Sequence, residues 1–416
     1  MKKDTYFKRL DYTITPVPPV PAPPVCFSSE SKTAQYLPIA EFLRAGGDTG
    51  GNASSSGTTG DTRNGTSSGG DRHTAFFHFE KSPRERHCGL GQTLIQAVHS
   101  SCNSGFYLKI EDEKTAQTSR TQPPYHTHPG TVPATQMQAA SAQQLFFIHY
   151  CLDPEHSVLY DKSAIEIADN AAACIILYCD SENNTETDVP YYRNGLLSIL
   201  IGKNTLVEII KIQNFADSAV NFETIRMDIR EKAQVTVYDI HLGSQKSGSS
   251  YSSYIQEEGA EVHIHPLYFV DKNRRMDIEH NLIINGKNTI ADITAQGAIK
   301  NNAHKIFRGN IFLNKGCSKS SARFSDNSIM LDKQAVGISI PTIFCDEDDV
   351  VGEHAASFLA IDKDKLYYLM SRGFDEGSAK KLIIESAFRP VFNRIPNEQI
   401  CTKINAEFDM RLASEL

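Results

Sequence analysis

The sequence predicts a mainly β protein made of stacked short strands, and two observations carry that expectation. From Leu145 onward, runs rich in Val, Ile, Leu, Tyr and Phe recur, separated by Gly, Asn, Asp and Lys. They include Leu145–Tyr150, Ile175–Cys179, Leu196–Ile201, Thr205–Gln213, Val235–Leu242, Glu261–Phe269, His280–Ile284, Thr289–Ala295 and Ile306–Leu313. Turn-like tripeptides lead several of them: Gly202-Lys203-Asn204, Glu231-Lys232-Ala233, Glu258-Gly259-Ala260 and Gly286-Lys287-Asn288. These turns start roughly 27–30 residues apart, with no helical pattern between them. Such recurrence fits a stacked repeat, such as a parallel β-helix. An antiparallel sandwich shows similar short strands, so strand pattern alone leaves both open.

The rest of the chain divides by composition. Residues 1–44 hold PVPPVPAPPV at 16–25, an extended polyproline run that is neither helix nor central strand. Residues 45–72 are dominated by Gly, Ser, Thr, Asn and Asp, too few of them apolar to offset the entropy of ordering, and read as a flexible linker. Residues 73–144 read as a small helical region with a low-complexity insertion. Within it, Leu94, Ile95 and Val98 have helical spacing over Gly91–Ser101, and Thr115–Gln144 is rich in Gln, Thr, Pro and Ala. The strand core spans 145–355, and 356–416 form a helical C-terminal domain. There, Asp364 is placed to cap a helix ending at Arg372, with Gly373 at the left-handed position after it. Asp375 caps the next helix, whose apolar face includes Ala379, Leu382, Ile383 and Ala387, and Pro390 ends or kinks it. This helical hairpin is expected to dock on the end of the strand stack. Removing 364–416 is then expected to leave the core folded.

Composition excludes several functions. The 416 residues carry a net charge of −8, which argues against a nucleic-acid binder acting through a basic field. The positive N-terminus, MKKDTYFKRL, has no apolar segment after it, and the longest apolar run, Ala171–Cys179, is too short to span a bilayer. A cytoplasmic protein, with no membrane partner, is expected. The nine scattered cysteines fit a reducing compartment. No phosphate-cradling G-x-x-x-x-G-K-[ST] occurs, so any ATP is hydrolysed by a partner and no nucleotide is bound directly. Neither G-x-S-x-G nor H-E-x-x-H is present, and the chain is expected not to be an enzyme. Cys174 and Cys179 lack C-x-x-C spacing, and Glu182 stands where a ferredoxin-type run would place its next cysteine. His263-Ile264-His265 puts two imidazoles on one strand face without a third ligand, and solvent-facing histidines are expected there.

The densest signal is DDVVGEHAASFLAIDKDKLYYLMSRGFDEGSAKKLIIESAF at 348–388. An acidic run leads to His354 within Gly352-Glu353-His354-Ala355-Ala356-Ser357. Tyr368-Leu369-Met370-Ser371-Arg372-Gly373 and a second helix, Ala379–Phe388, follow. This block resembles the C-terminal signature of the SufB/SufD family of iron–sulfur cluster assembly scaffolds. The resemblance covers about 194–395, favours the right-handed parallel β-helix, and implies a core with N-terminal and C-terminal helical segments.

The resemblance implies a SufD-like subunit in a complex with a SufB-type subunit and an ABC-type ATPase, SufC. A transient iron–sulfur cluster would be shared across the SufB–SufD interface, with His354 as the metal ligand and Glu353 and Cys345 beside it. Cys345 is otherwise read as a packed thiol ending a buried strand. Tyr367, Tyr368, Arg372, Gly373, Leu382 and Phe388 would dock the ATPase. SufB-type subunits resemble this chain but carry a cysteine where Asp326 stands and an acid where Ala355 stands; Glu353 matches the SufB pattern. Two other readings are a scaffold that pairs with a second copy of itself, and a β-helix enzyme acting on polysaccharide. The latter needs clustered carboxylates on one strand face and is commonly secreted.

Overall fold

The computed structural model describes residues 25–29, 34–38, 92–111, 143–182 and 190–413. The polyproline run up to Pro24, the 45–71 linker and residues 115–142 of the low-complexity stretch lie outside the described residues.

The described strands, numbered in chain order, form two nine-stranded sheets. The first sheet runs β1 (Val25–Ser29), β4 (Gln144–Leu152), β6 (Ala172–Ser181), β8 (Leu206–Asn214), β10 (Gln234–His241), β12 (Glu261–Val270), β14 (Ile290–Ile299), β16 (Ser320–Met330), β18 (Val350–Leu359). The second runs β17 (Val336–Cys345), β15 (His304–Leu313), β13 (Arg275–Ile284), β11 (Lys246–Ile255), β9 (Val220–Ile229), β7 (Tyr192–Ile201), β5 (Val158–Ile167), β3 (Phe106–Ile110), β2 (Ala34–Pro38). Only β1 and β2 pair antiparallel to their neighbours; the other ladders are parallel. Successive strands alternate between sheets, so each pair makes one rung of a parallel β-solenoid.

The predicted turn tripeptides form one corner of that solenoid. Asn204, Lys232, Gly259 and Asn288 all have positive φ, between 52° and 76°. Left-handed backbone turns each N–H along the stack, toward the next rung. Asn204 donates to the Glu231 carbonyl (2.9 Å), Lys232 to Glu258 (3.0 Å), Gly259 to Lys287 (2.9 Å) and Asn288 to Ser318 (3.1 Å). The roughly 28-residue period is therefore a hydrogen-bonded column, which an antiparallel sandwich would not produce.

Apolar side chains fill the lumen between the sheets, in columns set by the in-register pairing. One column runs Phe146, Ile175, Ile209, Val237, Ile264, Ile293, Phe324. The lumen also holds charge. Arg193 forks onto Asp161 (2.8 and 3.1 Å) and reaches Glu223 at 3.1 Å. Lys211 bonds Glu223, and Asp239 at 3.1 Å.

Helices cover the outer faces. α1 (Gln92–Ser101), where helical spacing was read, packs Ile95 and Val98 against Tyr107, Val158, Tyr160 and Leu196 of the second sheet. α2 (Lys363–Ser371), α3 (Glu376–Phe392) and α4 (Glu398–Ala413) follow β18. Ile384, Phe388 and Phe392 of α3 join Ile404, Phe408 and Leu412 of α4 on Ile176, Ile210, Ile240, Leu267 and Phe269. Those five belong to the outer face of the first sheet, so α3 lies along the side of the stack and not on its end. Removal of 364–416 would uncover that apolar face. The cap of α2 is Asp362, which accepts from the N–H groups of Asp364 and Lys365; Asp364 itself lies inside the helix. Gly373 takes the left-handed position as expected, with φ 98°. Asp375 caps α3, and Pro390 lies in its last turn. Among the described residues, no helix is long and apolar enough to cross a membrane.

Candidate functional site

Among the described residues the last rung, β17 and β18, ends both sheets, so each of these strands has a ladder neighbour on one side only. His354 sits mid-β18, in register with Phe324. It therefore occupies the eighth place of the apolar lumen column traced above. Lower rungs need an apolar side chain there because another rung covers them. His354 is exposed, and among the described residues its ring has no hydrogen-bond partner. The imidazole thus points along the open end of the solenoid, free for an external ligand.

The neighbours predicted to accompany it do not converge on it. Glu353 follows the alternation of the strand onto the outer face, where it pairs with Arg323 at 3.0 Å. Cys345 stands in another lumen column, above Leu313 and Ile284. It is exposed, which corrects its reading as a packed thiol; its Sγ donates to the Glu347 carbonyl at 3.1 Å. It ends β17 at the corner leading into Val350, and His354 lies four residues, about 13 Å, further along β18. Cys317 is buried behind that corner, where burial, then Glu347 and Cys345, raise its thiol pKa.

Beneath the open end lies a buried ionic group. Lys305 and Asp326, facing each other from β15 and β16, form an ion pair with both side chains fully buried. The Tyr268 hydroxyl donates to Asp326 at 2.6 Å and lies 2.6 Å from the Ser328 hydroxyl. Lys305 also reaches Ser328 at 3.3 Å and sits 4.8 Å from the Tyr268 ring centre. Gly297 makes this possible: a Cβ there would lie 2.0 Å from that ring. Burial lowers the Lys305 pKa, against the pull of Asp326. Ala356 stands over Asp326 in register, and Phe358 over Ser328. Sequence reasoning noticed Asp326 only as the place of a family cysteine and missed Lys305, Tyr268 and Ser328. Only strand register brings them together.

The C-terminal candidates divide. Tyr367 is 76 % exposed, and Tyr368, Met370, Phe374 and Leu382 are exposed as well. α2 has no buried residue at all. A cleft of about 390 Å³ between α2 and α3 is lined by Tyr368, Leu369 and Ile383. Arg372 lies over the Tyr368 ring at 5.1 Å, and Gly373 closes the helix. Phe388, in contrast, is buried against Phe408, with ring centres 4.6 Å apart, so it anchors α3 and presents nothing outward. His263 and His265 are on the outer face, yet neither is simply solvent-facing. His263 lies 3.3 Å from Asp292, and half-buried His265 stacks on Tyr238 at 5.2 Å. Burial, then the neighbouring His263, pushes its pKa down to about 4. Cys174 and Cys179 are both buried and point to opposite sides of β6.

Comparison with known proteins agrees with this architecture. Residues 150–387 match the family described as "SUF system FeS cluster assembly, SufBD core domain". An iron–sulfur cluster assembly SufBD family protein of Staphylococcus haemolyticus is 22 % identical over 250 residues, 60 % of this chain and 53 % of that protein. Counterparts in Staphylococcus epidermidis and Staphylococcus aureus are 23 % identical over the same length. The chain spans about half the length of the curated relatives it matches. With more than half its residues inside the family match, and with the solenoid those residues build, the chain belongs to the SufBD core family of the SUF iron–sulfur cluster assembly system.

Proposed function

We propose that this chain is a SufD-like scaffold subunit that pairs its open solenoid end with a SufB-type subunit and docks a SufC-type ATPase on its α2–α3 hairpin. The observation that carries the reading is the position of His354: an imidazole in a lumen column, on a rung with two unpaired strand edges. Free edges of parallel strands are sites for pairing with another chain. One imidazole supplies one of about four ligands a tetrahedral iron takes, and Cys345 stands on the other strand of the rung, beyond the corner before Val350. The remaining donors therefore come from the partner, and the nascent cluster, as cargo, sits between subunits. Asp326 in place of a thiol fits a subunit that completes such a site without starting it. Exposed Tyr367, Tyr368 and Leu382 around the hairpin cleft supply an apolar dock for the ATPase, which does the ATP hydrolysis.

The test is the purified three-component complex carrying His354→Ala. His354 is exposed, so assembly and the melting transition stay unchanged, while bound iron and acid-labile sulfide fall at least fivefold. Unchanged iron and sulfide would remove His354 from the site; loss of assembly would make it an interface contact.

A further inference from the structure

A second cluster of metal-binding side chains lies at the opposite end of the solenoid. His149 and Cys151 are two residues apart on β4 and share its outer face, and Asp180 of β6 is in register with Cys151. The ligand atoms of His149, Cys151 and Asp180 all lie within 4.8 Å of one another. From β6 to β18 is six strand spacings, about 29 Å, so these groups are separate from His354.

The surroundings hold the three groups in place. His149 Nε2 lies 2.7 Å from Asp180 Oδ1, and its ring stacks on Tyr178 at 5.1 Å. Lys403 of α4 binds the other oxygen, Asp180 Oδ2, at 2.7 Å. The buried Tyr178 hydroxyl stands beside Asp180 and Lys403. Cys151 is poorly served as a thiol. Among the described residues its sulfur makes a long, 3.9 Å contact to its neighbour's carbonyl and lies beside the Asp180 carboxylate.

We propose that His149, Cys151 and Asp180 form a binding site for a divalent transition ion, zinc or ferrous iron, with water in the fourth position. Imidazole, thiolate and carboxylate are the donor set such ions take in tetrahedral sites. Binding breaks the Cys151 S–H bond and forms a sulfur–metal bond, and the proton leaves to solvent. The imidazole binds through Nε2 and keeps its proton on Nδ1. Thiolate and carboxylate together neutralise the ion, so Lys403 keeps its own charge. The His149–Asp180 contact opens by roughly half an ångström to admit an ion at about 2.0 Å from each. Because the thiol gives up its proton on binding, affinity rises with pH. His149 is 26 % exposed, which leaves a path for the ion.

Cobalt titration of the reduced, metal-free chain tests this. One equivalent of Co²⁺ is expected to give the near-ultraviolet thiolate-to-cobalt band and the visible bands of a four-coordinate ion, with Zn²⁺ displacing it. Cys151→Ser removes the thiolate band, whereas Cys345→Ser and His354→Ala leave it intact. His149→Gln weakens affinity roughly 100-fold. Lys403→Met strengthens it about tenfold, because a competing cation beside Asp180 is gone; a purely structural role for this cluster would not produce that gain. Melting curves monitor the fold of each variant, and His149→Gln stands in if Cys151→Ser does not fold. A wild-type chain without the thiolate band, or a band that survives both Cys151→Ser and His149→Gln, overturns the proposal.

Discussion

Asp326 and Lys305 give the sharpest test of the lumen beneath the open end. Both side chains are fully buried, and their partners are each other, the Tyr268 and Ser328 hydroxyls and the Tyr268 ring. Asp326→Ala leaves a buried ammonium with one hydroxyl at 3.3 Å and the aromatic faces of Tyr268 at 4.8 Å and of Phe307 and Phe358 at 5.4 Å. Removing one member of a buried pair costs about 3–5 kcal/mol. Lys305→Met should cost less, because Asp326 keeps the Tyr268 hydroxyl as a donor at 2.6 Å. The double variant, Lys305→Met with Asp326→Leu, removes both charges and leaves Tyr268 and Ser328 bonded to each other. It should return to within about 1 kcal/mol of the parent chain, since apolar replacement of a whole buried pair is often neutral. Urea denaturation followed by circular dichroism, closed into a double-mutant cycle with Asp326→Leu as the second single variant, should give a coupling of about 2–4 kcal/mol. Additive effects, or an Asp326→Ala cost below about 1 kcal/mol, would refute the claim that these charges depend on each other. Asp326→Cys should fall between: the Lys305 ammonium favours a thiolate, so the new thiol should titrate well below about 8.5.

Three further outcomes are expected. Half-buried His265 has its folded pKa depressed to about 4, from 6.5. The unfolded chain therefore binds more protons between those values, and stability falls as pH drops from 6.5 toward 4, by at most about 3 kcal/mol. His265→Gln should flatten that part of a melting-temperature profile; an unchanged slope would assign it to other groups. Phe408→Ala should destabilise by about 3–5 kcal/mol, read by urea denaturation, because its ring packs on Phe269, Phe388 and Phe392 at 4.6–5.4 Å. Tyr367→Asp with Tyr368→Asp should leave melting unchanged and weaken ATPase binding by at least tenfold in a titration. Unaltered affinity would place the dock elsewhere.

How much of this was legible depended on whether a residue's neighbours lie along the chain or across the stack. The corner turns were readable because each needs a residue tolerant of positive φ at a fixed interval, as at Asn204, Gly259 and Asn288. The Gly373 stop and the Asp375 cap were readable for the same reason: the partners are within a few residues. β11, KSGSSYSSYI, was not. Its lumen positions include Ser247, Ser249 and Ser253, so the apolar alternation that marks a half-buried strand is missing.

The interior charges were hidden by a stronger effect. Lys211, Asp239, Lys305 and Asp326 carry no mark of burial in the sequence, because a lone charge on a strand is almost never fully buried. What buries them is a partner 21 to 28 residues away, brought opposite on the facing strand or on the next rung. His354 is the converse case. Its seven predecessors in the column are apolar and buried, so the same register that makes Phe324 a core residue makes His354 exposed, once no rung follows. The histidine is thus marked by where the stack stops. A second chain pairing with β18 would turn an exposed imidazole into a half-enclosed one, with a lower dielectric around it and the partner's donors within reach. On the proposed reading, that change would give an open solenoid end a chemistry its covered rungs lack.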